Sequence, residues 1–162
     1  MELRAKTVAN LFLSEARASK ERGERNPPVT PMSIQKLVYI AHGYNLGATG
    51  RPLIAEKVFA WDWGPVIPDL YHAFKRFGNG EIEADAIVEP EVVDADTAYL
   101  VSTVWDVYRR FTASQLSKMT HAPGTPWSKT VDGKSPIPFD LPIENQVIEE
   151  YYAAIVKRGR KA

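Results

Sequence analysis

The chain contains no cysteine, which excludes disulfides, thiolate metal sites and thiol nucleophiles together. It has no excess of either charge, since 20 Lys and Arg face 20 Asp and Glu. Nucleic-acid binding usually leaves a basic footprint, so this balance argues against nucleic acid as the partner. No apolar run approaches the roughly 18 residues that a membrane span requires. The opening Met1-Glu2-Leu3-Arg4-Ala5-Lys6 leads into no apolar signal core, so the expected compartment is the cytoplasm, with no membrane partner. Gly-x-Ser-x-Gly, Gly-x-Gly-x-x-Gly and the P-loop pattern are all missing, which removes the commonest nucleophile and phosphate-cradling motifs.

What remains is an ordinary globular composition, 162 residues with 44% apolar and 25% charged. A chain of this length can bury roughly two-thirds of its unfolded surface, and the expectation is a single domain over 1–162. The spacing predicts a first helix from Thr7, with Val8, Leu11, Phe12 and Ala16 on its apolar stripe. Ser19 to Pro28 reads as a solvated helix end and loop. Thr30-Pro31 starts a second helix, a capping hydroxyl followed by proline where no amide is needed. Ile34, Leu37, Val38, Ala41 and Tyr44 form its core stripe, Gln35, Tyr39 and His42 run beside it, and Gly47 to Gly50 end it.

Val58-Phe59-Ala60-Trp61 is a strand candidate that Trp63-Gly64-Pro65 breaks. A third helix follows Pro65 and Pro68, with Leu70, Tyr71, Phe74 and Phe77 inward, and Gly78-Asn79-Gly80 closes it. Residues 81–96 hold seven acidic residues and no basic one, which reads as an acidic connector with a short strand at Ile87-Val88. Asp94 or Asp96 caps a fourth helix with a stripe of Leu100, Val104, Tyr108 and Phe111. Thr112-Ala113-Ser114-Gln115 is a capping box opening a fifth helix through Met119. Thr120 to Trp127 reads as an aromatic-bearing turn, and a last helix begins near Pro142 with Ile143, Val147, Ile148, Tyr151 and Ile155 inward. The fold class is therefore mainly α, a compact domain of about six helices with a minor β element.

Chemistry is sparse. His42, His72 and His121 are too far apart in sequence for a helical His-x-x-x-His pair, so they support no metal site of ordinary spacing. Trp61, Trp63, Tyr71, His72 and Trp127 sit near breaks in regular structure, where rings either pin loops to helices or anchor a partner. Gln35, Tyr39 and His42 have the same two readings, a partner surface or a buried network.

Six stretches, in order, resemble the Panacea domain, the SocA-like antitoxin family that includes phage-associated GepA-type proteins. They are Val8-Ala9-Asn10-Leu11-Phe12-Leu13, the run from Thr30 to Gly43, Gly50-Arg51-Pro52-Leu53, the run from Ala60 to Pro68, Leu70-Tyr71-His72-Ala73-Phe74, and Leu116 to His121 followed by Pro126-Trp127. They span roughly residues 7 to 130. The family often carries tyrosine and glutamine in the second helix where this chain has Ile40 and His42.

The resemblance implies a bacterial, mainly α-helical antitoxin that binds a cognate protein toxin, with no enzyme activity and no cofactor. Neutralisation would proceed by sequestration or by delivery to a cytoplasmic AAA+ protease. Gln35, Tyr39, His42, Trp61, Trp63, Tyr71, His72, Thr120, His121 and Trp127 carry over as candidates for partner binding or for a shared framework. The rival readings are a metal-assisted hydrolase using His42, His72 and His121, and a DNA-binding autoregulator; the charge balance and the lack of a helix-turn-helix pattern argue against the latter.

Overall fold

The computed structural model describes residues 2–83, 86 and 92–161. The strand expected at Ile87-Val88, and much of the acidic connector around it, lie outside the described residues.

Helix α1 spans Ala5–Glu21. It starts two residues before Thr7, with Arg4 at the N-cap and no side-chain cap of its own. The free amide of Ala5 donates instead to Glu56 Oε1 at 2.9 Å, so a carboxylate distant in sequence replaces the local hydroxyl. Leu3 forms a parallel bridge with Ile54, which brings the Glu56 loop to the helix start. Thr7 is buried.

Helix α2, Pro31–Thr49, begins as the sequence predicts, on a capping box in which Thr30 and Ser33 exchange hydrogen bonds. It ends on Gly50, which is left-handed at φ 73°. Gly47 lies inside the helix. An added Cβ there would come within 2.5 Å of the backbone carbon of Tyr152, on the last helix. Gly43, one turn earlier, likewise leaves no room for a side chain against the Tyr152 ring. Gly43 and Gly47 thus let two helix backbones approach closely.

Every residue of α2 from Ser33 to Gly43 is buried, so the helix has no solvent face over that stretch, as expected of a central element. It packs against α1, against α3 (Pro68–Phe74), against α4 (Ala95–Tyr108), against α5 (Ala113–His121) and against α7 (Asn145–Lys161). The Gln35, Tyr39 and His42 stripe is as deeply buried as the Ile34 stripe.

Strand β1, Val58–Trp61, pairs antiparallel with β2, Gly64–Val66, in the register Trp61↔Gly64. Trp63-Gly64-Pro65 therefore does not end the strand region. Asp62 and Trp63 are the two residues of a tight hairpin, and Gly64 takes φ 107°, a conformation glycine adopts without strain. The other edge of β1 takes β3, Pro142–Ile143, giving the order β2-β1-β3. Pro142 and Ile143 thus extend this small sheet, and α7 starts at Asn145.

Thr120 to Trp127 is likewise more regular than a turn. Thr120 and His121 complete α5, and Thr125 caps a further helix, α6, Pro126–Val131. The described residues hold seven α-helices, one more than the spacing predicts, and a 3-10 turn at Lys75–Phe77. In α4 the buried residues are Val101, Val104 and Trp105, while Phe111 lies beyond the helix and is exposed. The loop after α1 is tied down rather than loose. Asn26 Nδ2 donates to Ser19 Oγ at 2.8 Å and Arg109 Nη1 donates to Asn26 Oδ1 at 2.7 Å.

Candidate functional site

Four of the ten candidate residues are locked inside the fold. Gln35 grips the backbone of Ile67 with both ends of its amide: Nε2 donates to the Ile67 carbonyl at 3.0 Å and Oε1 accepts from the Ile67 amide at 2.9 Å. Tyr39, only 1% exposed, packs edge-on to Tyr152 with centroids 6.1 Å apart. Burial, with Tyr151 nearby, raises its phenol well above the ordinary range. Thr120 Oγ1 turns back on its own helix, donating to Leu116 O at 3.0 Å.

His42 is fully enclosed. Its Nδ1 accepts from the amide of Leu53 at 3.2 Å, with the amide of Ile54 at 3.4 Å. Two donors at Nδ1 place the ring proton on Nε2, which therefore donates to Asn145 Oδ1 at 3.0 Å. Burial lowers the ring's basicity, which keeps it neutral, although Asn145 and Glu2 oppose the shift. Both nitrogens are engaged, so His42 has no lone pair to offer a metal. His72 stands exposed on α3 and His121 is half-buried on α5, and no group of three or more His, Asp or Glu placed to hold a metal occurs among the described residues.

The remaining candidates gather at the β1–β2 hairpin. Trp127 Nε1 donates to the Trp61 carbonyl at 2.7 Å. Trp61 Nε1 donates in turn to Phe139 O at 3.1 Å, and its ring meets the edge of Tyr71 at 5.3 Å. Tyr71 is 43% exposed, not inward as its helical spacing predicts, and lies 5.5 Å from the His72 ring. His121 stacks edge-on to Trp127 at 5.4 Å.

Two residues that the sequence reading did not single out complete this arrangement. Ser117 Oγ donates to the Trp63 carbonyl at 2.8 Å. Lys36 Nζ, on a side chain only 1% exposed, donates to the Pro65 carbonyl at 2.8 Å. Burial pulls the Lys36 amine from its ordinary 10.5 to about 7. The carbonyls of Trp61, Trp63, Pro65 and Ile67 alternate along the chain, and each receives a side-chain donor: Trp127 from α6, Ser117 from α5, Lys36 and Gln35 from α2. A lysine in the middle of an otherwise enclosed helix is the sequence signal that could have disclosed this pinning.

The pinned hairpin carries one side chain that packs on little of its own fold. Trp63 is 69% exposed at the tip. Beside it lies a cleft of about 410 Å³, bounded by Met32 at the start of α2 and by Ser114, Ser117, Lys118 and His121 on α5. Because Ser117 gives its hydroxyl proton to Trp63, the 3.4 Å contact with His121 Nδ1 requires the histidine to donate. His121 Nε2 is thereby turned away from that bond. Trp63 is thus a large exposed ring on a pinned turn, next to the cleft.

The family described as "Antitoxin SocA-like, Panacea domain" matches residues 34–128, which include most of α2, the hairpin and α5. Antitoxin SocA of Caulobacter vibrioides (strain NA1000 / CB15N) is 34% identical over 139 residues, covering 80% of this chain and 71% of that protein. No solved structure matches. On the profile match and the identity to SocA together, this chain belongs to the SocA-like antitoxin family of Panacea domains.

Proposed function

We propose that this chain is the antitoxin of a toxin–antitoxin pair, a single cytoplasmic domain without enzyme activity that neutralises a cognate protein toxin by binding it directly. The observation that carries the binding mode is Trp63, held 69% exposed on a hairpin whose backbone is fixed by four side chains from three helices. Prior ordering of an anchor lowers the entropy lost on association. Trp61 and Trp127 serve as the frame of that hairpin, and Gln35, Tyr39, His42 and Thr120 as its foundation. Of the ten candidates, Trp63, His121, Tyr71 and His72 are left to meet a partner.

Two routes to neutralisation follow. Sequestration requires only a stable complex; delivery makes the chain an adaptor that also engages a cytoplasmic AAA+ protease, for which the acidic 81–96 segment supplies a second contact region. The test is co-expression with the adjacent small reading frame, scoring growth with each gene alone and with both, then pull-down of one product on the other. Rescue with co-purification is the expected result; a harmless neighbour that does not bind overturns the reading. Toxin half-life with and without the protease separates the routes, since only delivery shortens it.

A further inference from the structure

The cleft beside Trp63 has a chemical bias that says what it accepts. Its volume of about 410 Å³ falls within the roughly 300–1,000 Å³ of ordinary ligand pockets. It is open to solvent rather than enclosed. Met32 and the Trp63 ring supply apolar walls. The polar side of the lining carries Lys118 and His121 and no carboxylate. The first turn of α5, through Ala113 and Ser114, adds its dipole with the same sign. We propose that this cleft receives a short segment of the protein partner in which an apolar side chain is flanked by a carboxylate. The apolar group lies against Trp63 and Met32, and the carboxylate pairs with Lys118.

The proposal rests on the antitoxin reading and specifies its partner. A second copy of this chain is the poorer occupant. A two-fold contact puts the same patch on both sides, so the Lys118 patch would face its own copy with like charge and no carboxylate between.

The experiment uses the full chain and the product of the adjacent reading frame. Binding is measured at low and high salt for the wild type, Trp63→Ala and Lys118→Glu, after thermal unfolding confirms that both variants fold. Trp63→Ala is expected to weaken binding by about 30-fold or more, as for an interface hot spot. Lys118→Glu weakens it by about 10-fold at low salt, and that difference shrinks as salt screens the pair. A photoreactive phenylalanine at position 63 then identifies the partner peptide in contact, and changing its carboxylate to lysine restores binding to Lys118→Glu.

An adjacent product that neither poisons growth nor binds removes the antitoxin reading, and this inference with it. Neutralisation that survives both substitutions at full affinity keeps the antitoxin and overturns the cleft. Tighter binding by Lys118→Glu means a basic segment, and a Trp63-dependent dimer of this chain alone means a second copy; either overturns the proposal.

Discussion

The inner side of α2 and the tip of the β1–β2 hairpin both depend on polar side chains, and they differ in which groups those side chains satisfy. On α2, Gln35, Lys36 and His42 turn their nitrogens and oxygens on the backbone and side chains of distant segments, Ile67, Pro65, Leu53 and Asn145. Those bonds keep the three side chains inside the fold, while the Tyr39 hydroxyl on the same stretch is buried without a hydrogen-bond partner among the described residues. At the tip the backbone is the satisfied party, and the Trp63 side chain is released into solvent. Buried polar groups here do the work of aiming, since an unmade hydrogen bond in the interior costs more than a made one gains. The exposed apolar ring makes use of the aim.

The sharpest way to break that contrast is to separate α2 from α7. Gly47→Ala places a methyl group against the Tyr152–Ala153 backbone, at 2.5–2.6 Å, where no side-chain rotation can relieve it. A loss of about 3 kcal/mol is expected in urea unfolding; an unchanged midpoint would mean that the foundation yields and the aim is not fixed by it.

Lys36 allows a finer test. The unfolded chain holds the Lys36 proton up to about 10.5, the folded chain only up to about 7. The unfolded state therefore binds more protons between those values, and stability rises with pH across that window by about 1.4 kcal/mol per unit at most. Below pH 7 this group contributes no slope. Urea titrations of the wild type and Lys36→Met from pH 6.5 to 9.5 should show the rise in the wild type alone; parallel curves would mean that the amine stays charged when buried.

Ser117→Ala removes one of the four pins and is expected to cost about 1 kcal/mol of stability, together with a measurable loss of partner affinity. Equal affinity would show that three pins suffice. The smallest effect belongs to Trp63→Ala, which should shift stability by less than about 0.5 kcal/mol because the ring packs on so little. A larger loss in the thermal midpoint would make Trp63 part of the frame, and would erase the distinction between the two regions.

Local signals served well where local chemistry decides. The Thr30 cap, the Thr112 capping box, the Asp94 cap and the Val58–Trp61 strand stand where the sequence indicates. The failures share one cause, a partner far away in sequence. The cap of α1 comes from Glu56, and Pro142-Ile143 leaves the helical pattern because β1 offers a free edge. Gly47 reads as a terminator until α7 is seen lying on it. The candidate site was legible as a set of residues and illegible as a surface. Gln35, Tyr39 and His42 have the spacing of an exposed stripe, and only the helices packed on every side of α2 make it an interior. Trp61 and Trp63 differ by two positions in the same motif; hairpin geometry half-buries one and presents the other.

The four alternating carbonyls carry a consequence for how the chain can fail. A loop held by its own residues can loosen while the rest of a protein stays folded, giving a species that persists but no longer binds. Here the hairpin is tied at every second residue to α2, α5 and α6, so it cannot come adrift without disturbing the centre of the molecule. Opening at the tip then carries a free energy near that of global unfolding rather than that of a fraying loop. Loosening of the hairpin is thereby coupled to loosening of the core, and a molecule bound at the tip would stabilise the whole fold by mass action.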